Sequence, residues 1–90
     1  MRIIELPGFR RGFAKLPGHL QEKTWYQLSA LVEHIGDPSK PKSLRLKKLP
    51  YGNFEISVNM DLRVLFQLSG DAIVLVLLGD YEDVRRYLRR

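Results

Sequence analysis

Residues 61–84 read DLRVLFQLSGDAIVLVLLGDYEDV, and this stretch decides the fold. Residues 63–68 and 72–78 are apolar runs of strand length, joined by Ser69-Gly70-Asp71, which has the composition of a hairpin turn. The second run, AIVLVLL, has no polar member. Such a strand is covered on both faces, which predicts that it lies at the centre of the sheet. Gly79-Asp80 ends it, and residues 81–90 follow as a short helix with Val84, Tyr87 and Leu88 turned inward. One residue interrupts the apolar pattern. Arg63 opens the first run and by parity shares a face with Leu65 and Gln67. Its guanidinium either lies in a cleft, with its stem against apolar neighbours, or pairs with Glu55 or Asp61 and fixes the sheet edge.

Working back from Arg63, Phe54, Ile56 and Val58 alternate with Glu55, Ser57 and Asn59, so one face of this strand is apolar and the other polar. Asn59-Met60-Asp61 and Pro50-Tyr51-Gly52-Asn53 are turns on either side of it. Leu44 and Leu46 alternate with Arg45 and Lys47, which predicts a further strand with both cations on one face. Residues 37–43, with two prolines and two lysines, form a connection. Ahead of it the period is helical: Leu20, Thr24, Leu28, Leu31 and Ile35 make one stripe, flanked by Trp25 and Val32, with Gly36 and Pro38 as the stop. Phe9, Phe13 and Leu16 mark a shorter helix before Pro17-Gly18, and residues 2–6 a first strand closed by Pro7-Gly8. The expected fold is α+β: an N-terminal strand, a helical hairpin packed on a mainly antiparallel sheet, and a short C-terminal helix, with the helices on one sheet face.

A chain of 90 residues supports one hydrophobic core, so residues 1–90 are read as a single domain, and 44% hydrophobic residues suffice for it. The sequence contains no cysteine, which excludes disulfides, thiolate metal sites and cysteine nucleophiles. The N-terminus is too soon interrupted by charge and proline to read as a signal peptide, and the longest apolar run is far short of the ~20 residues of a membrane helix. A soluble, cytoplasmic protein without a membrane partner is expected.

The net charge of +5 is concentrated in two places, Lys40, Lys42, Arg45, Lys47 and Lys48 in the middle and Arg85, Arg86, Arg89 and Arg90 at the end. Such clusters suit a phosphate backbone or an acidic protein partner, and also occur as solvated surface. His19 and His34 have no second ligand at metal spacing, no glycine-rich loop precedes a helix, and the serines have no evident base partner, so neither metal nor nucleotide cofactor is expected. Glu82 and Asp83, beside Asp80, sit where they favour a helix dipole.

The segments SLRLKKLPYGNFEISVNMDLRVLF (43–66) and IVLVLLGDYEDVRRYL (73–88) resemble the RelE/ParE superfamily of toxins, and the order of elements extends the resemblance over nearly the whole chain. The resemblance implies a toxin held inactive by an antitoxin, the latter expected to be disordered when free, acidic and amphipathic. One branch of the superfamily cuts messenger RNA on the ribosome, with the RNA's own 2′-hydroxyl as nucleophile and no metal. The other inhibits DNA gyrase. Carried onto this chain, Arg63 stabilises the phosphate, Lys47 matches a basic position of the ribonucleases, and Tyr81 hydrogen-bonds the phosphate or donates a proton. Arg45, Lys48, Lys42 and Arg85 are expected to bind RNA phosphates. Tyr87 is a second aromatic candidate, although its companions Val84 and Leu88 favour a core role. Two positions depart from the pattern: Asp80 where many relatives have histidine, and Ser57 where many have a basic side chain. The resemblance thus leaves three functions open: a ribosome-dependent messenger-RNA endonuclease, a gyrase inhibitor, and a non-toxic homologue that kept the fold.

Overall fold

The computed structural model describes residues 1–39 and 44–89. The elements are β1 (Arg2–Glu5), α1 (Pro7–Ala14), α2 (Gly18–Gly36), β2 (Lys47–Lys48), a 3-10 turn (Pro50–Gly52), β3 (Asn53–Ser57), β4 (Arg63–Ser69), β5 (Ala72–Gly79) and α3 (Tyr81–Leu88). The strands form one sheet in the order β1-β5-β4-β3-β2. All neighbours are antiparallel except β1 and β5, which run parallel. The fold class is as expected. The centre of the sheet, however, is β4, and β5 lies between β4 and the short edge strand β1.

The sheet is covered on both faces. On one, Phe9 of α1 and Leu28 and Leu31 of α2 meet Ile56, Val58, Val64, Phe66, Ile73, Leu75 and Leu78. Phe9, Phe13 and Trp25 extend this core as an aromatic group, with centroid separations of 5.9–6.3 Å. Thr24, the one polar member of the α2 stripe, is buried because its hydroxyl donates to the Leu20 carbonyl one turn back. On the other face Leu65 and Val76 pack against Val84 of α3, with Leu77, Tyr87 and Leu88 around them. The expected placement of helices on a single face is therefore corrected: α3 crosses to the opposite side. That crossing turns the polar face of β3 into interior, and Asn53, Glu55 and Ser57 are all buried.

Two irregularities shape the sheet. The β4–β5 register shifts between Leu65, opposite Leu77, and Phe66, opposite Leu75, leaving Val76 as an extra residue in β5. Because β4 itself is unbroken, Arg63 keeps the face predicted by parity. At the other edge the expected strand over 44–47 is not formed. Arg45 has φ 51, in the left-handed region, so the alternation breaks there and only Lys47 and Lys48 pair with β3. The α2 stop also differs, since Gly36 is still helical and the helix ends at Asp37, which the following Pro38 keeps out of the helical conformation.

Where β1 ends, α1 takes over the edge of β5. Gly8 and Gly12, one turn apart, lie against the Val76 and Leu78 carbonyls; a Cβ on Gly8 would stand 2.7 Å from the first, and one on Gly12 would overlap the second. Gly18, at the start of α2, has nothing within 4 Å of the same position. Gly12→Ala is therefore expected to lower stability in urea by about 1–3 kcal/mol through overpacking. Gly18→Ala should leave it unchanged or raise it by up to about 1 kcal/mol.

Candidate functional site

Pairing of β3 and β4 sets Ser57 opposite Arg63 and Glu55 opposite Leu65, so Glu55, Ser57 and Arg63 share the face that α3 partly covers. Arg63 Nη1 donates to Ser57 Oγ at 3.0 Å, Nη2 donates to the Met60 carbonyl at 3.4 Å, and Nε lies 3.9 Å from Glu55 Oε1. Of the two expected partners the arginine takes Glu55, not Asp61. Both members of the pair are largely withdrawn from water, with side-chain exposures of 17% for Arg63 and 6% for Glu55. Nε is buried and makes no hydrogen bond, since 3.9 Å exceeds hydrogen-bond range. The cation is thus held by its charge partner and two acceptors, with guanidinium N–H groups to spare.

Arg63 pairs across β4–β5 with Gly79, and the chain then enters α3 at Asp80. This brings Tyr81 beside the pair, with the Arg63 guanidinium carbon 6.0 Å and that of Arg85 5.5 Å from its ring centroid. The two cations flank an aromatic side chain that is 53% exposed.

Asp80 is occupied structurally. Its Oδ1 accepts from the Asp83 backbone N–H at 2.8 Å, and Asp83 Oδ2 accepts from the Asp80 N–H at 2.9 Å, a reciprocal capping box. Gly79 makes room for it, because a Cβ there would stand 2.5 Å from Asp83 Oδ2. The Asp80 backbone N–H, with help from Arg86 at 3.0 Å, holds the Asp83 carboxyl below its ordinary value.

The remaining sequence candidates divide. Lys47 stands opposite Glu55 in the register and so belongs to the Arg63 face, exposed on β2; Lys48 stands opposite Phe54 and turns to the other side. The expectation that Arg45 and Lys47 share a hairpin face is corrected by the left-handed backbone at Arg45. Arg45 instead lines a cleft of about 360 Å³ with Lys23, Gln27, Ser57, Asn59 and Met60. Arg85 is half-exposed and 4.0 Å from Glu82, and Tyr87 packs into the small core beneath α3. Lys42 lies outside the described residues. Sequence reasoning treated Glu55 only as a possible tether and missed Lys23 and the Met60 carbonyl. Glu55 was legible in part, as a carboxylate on the parity of Ser57 and one diagonal from Arg63. Lys23 lies more than 20 residues before Arg45, and nothing local in the sequence links them.

Among the described residues no three His, Asp or Glu side chains gather as metal ligands, and no helix is long and apolar enough to cross a membrane. The arrangement offers a fixed guanidinium, a buried carboxylate beside it, and an aromatic ring within 6.0 Å of two guanidinium groups.

No protein-family model and no curated protein matches this sequence. Solved structures do. The RelB-RelE antitoxin-toxin complex from Methanococcus jannaschii contains a chain that is 16% identical, over 93% of this chain and 96% of that one, with a TM-score of 0.67. The YoeB/ParE toxin from Agrobacterium tumefaciens is 10% identical over 90% and 99% of the two chains, with a TM-score of 0.68. The DinJ-YafQ complex of E. coli gives 14% identity, 93% and 98% coverage, and a TM-score of 0.64. The architecture is accordingly that of the RelE-like toxins, matched over 90–93% of this chain.

Two tests address the architecture of the site. Arg63→Met strands a buried carboxylate and is expected to cost about 3–5 kcal/mol in urea unfolding, much of which the double variant Glu55→Gln/Arg63→Met recovers. For Asp83 the folded value is depressed, so its contribution is present above the unfolded value and lost as pH falls through the folded one. The melting-temperature gap between wild type and Asp83→Asn should therefore be full at neutral pH and close below the normal aspartate range.

Proposed function

We propose that this protein is the toxin of a toxin–antitoxin pair and a ribosome-associated messenger-RNA endonuclease that needs no metal. The observation that carries this reading is the buried Arg63–Glu55 pair, with Ser57 as its hydrogen-bonding neighbour and Tyr81 and Arg85 at its open side. Cleavage through the substrate's own 2′-hydroxyl requires three services. A base removes the hydroxyl proton, a cation stabilises charge on the five-coordinate phosphorus, and an acid protonates the departing 5′-oxygen. Glu55 serves as the base and Arg63 as the phosphate clamp, with the Tyr81 hydroxyl as proton donor. The oxygen–phosphorus bond to the 5′-oxygen breaks as the 2′ bond forms, leaving a 2′,3′-cyclic phosphate and a 5′-hydroxyl. Lys47, on the same sheet face, and Arg85 supply further positive potential for the RNA backbone.

The antitoxin reading is supported by the solved complexes of the same fold, in which a RelE and a YafQ chain are bound to RelB and DinJ. The protein's formal charge of +5 suits an acidic partner segment. Two observations favour the alternative of a gyrase-type inhibitor without nuclease chemistry: Glu55 offsets the charge of Arg63, and Asp80 stands next to Tyr81.

Induced expression followed by growth curves and primer extension separates the readings. Wild type is expected to arrest growth and to produce ribosome-dependent 5′ ends. Arg63→Lys keeps the buried charge but loses the planar fork, and should reduce cleavage by about 10²-fold or more with the fold intact by circular dichroism. Glu55→Gln should do likewise. Arrest with intact messenger RNA would overturn the nuclease reading in favour of the inhibitor.

A further inference from the structure

The cleft that receives Arg45 opens next to Arg63. Ser57 and Met60 line it, and the same two residues accept hydrogen bonds from the Arg63 guanidinium, so one thin wall separates the two. The backbone builds this cleft deliberately. Gln27 Nε2 donates to the Ser57 carbonyl at 2.8 Å, tying α2 to the end of β3 and placing Lys23, one turn earlier, over the opening. The Ser57 N–H donates to the Leu44 carbonyl at 2.9 Å, which brings Arg45, the next residue, to the cleft. Arg45 reaches it through a left-handed backbone that disfavours side chains with a Cβ.

The donor set is one-sided. Lys23 and Arg45 contribute two cations, and among the described residues no acidic side chain lines the cleft. Asn59 turns its Oδ1 to the backbone N–H groups of Asp61 and Leu62, at 2.9 and 2.7 Å, which leaves its amide N–H groups as donors. A cavity of about 360 Å³ lined by two cations and a neutral donor suits a phosphodiester and its sugar better than a lone carboxylate. We propose that the Lys23–Arg45 cleft is a second phosphate subsite, which holds the RNA backbone phosphate adjacent to the one at Arg63 and so sets the direction of the strand across the end of β3. This inference rests on the endonuclease reading and extends it from one phosphate to a path.

The test is an NMR titration of the ¹⁵N-labelled protein with a 2′-O-methyl hexaribonucleotide, which cannot be cleaved, beside inorganic phosphate and a glutamate-rich peptide. The oligonucleotide is expected to shift the amides of Lys23, Arg45 and residues 57–60. Lys23→Gln and Arg45→Gln should each weaken it three- to tenfold and flatten the salt dependence of log K by about 0.7, the value for one phosphate contact on a single strand. Arg45→Gly gives a signature that a merely structural residue would not: affinity falls while the melting temperature rises, because glycine accepts the left-handed backbone. Shifts confined to Arg63 and Tyr81, untouched by the cleft variants, would overturn the second subsite and leave the nuclease reading standing. Shifts at the cleft from a protein that cuts no messenger RNA would support an anion subsite and remove the nuclease reading. Response to the acidic peptide alone, or to nothing, would overturn the subsite.

Discussion

Burial of β4 and β5 from both sides is the constraint on which the rest of this structure depends. With α1 and α2 on one face and α3 on the other, any polar side chain that enters the sheet must find its partner inside it. Gln67 donates to Asn53 at 2.8 Å, and Asn53 in turn donates to the Pro50 carbonyl at 2.9 Å. Arg63, Ser57 and Glu55 solve the same problem with charge. An apolar pair of similar size would hold the sheet as well or better, so stability alone does not account for this pair.

The helices reach their positions by different means. α1 presses its backbone on the open edge of β5 because Gly8 and Gly12 offer no Cβ to the Val76 and Leu78 carbonyls, and it closes an edge that β1 is too short to pair. α3 is anchored at its start by the Asp80–Asp83 capping box and along its length by Val84 on Leu65 and Val76. The bulge at Val76 gives α3 two adjacent apolar contacts, Val76 and Leu77, where a regular strand would give one. That anchor also positions Tyr81, so the residue at position 80 acts on the site as the cap of the helix that carries Tyr81.

Much of the fold was legible because its signals are local. The α2 stripe, the 69–71 turn and the uninterrupted apolar run of β5 each announce themselves within a few residues, and their positions agree with the structure. The face of Arg63 was legible for the same reason, since parity holds along an unbroken strand. The register around Arg45 was not. A single residue at φ 51 reversed the alternation, and the arginine has no side-chain chemistry that signals such a backbone. That the polar face of β3 is buried was not legible, because alternation distinguishes two faces without saying what covers either.

Outside residues 44–47, the sequence by itself determined which segments are helix and strand, where they turn, and that one arginine stands on a mostly apolar strand. Those features depend on period, turn chemistry and propensity, which act over one or two turns of chain. Only the tertiary structure decided that α3 covers the second face, that Glu55 rather than Asp61 meets Arg63, and that Lys23 and Arg45 share a cleft. Each of those outcomes joins residues from different elements, and such a contact is set by how the elements pack, which no short window of sequence contains.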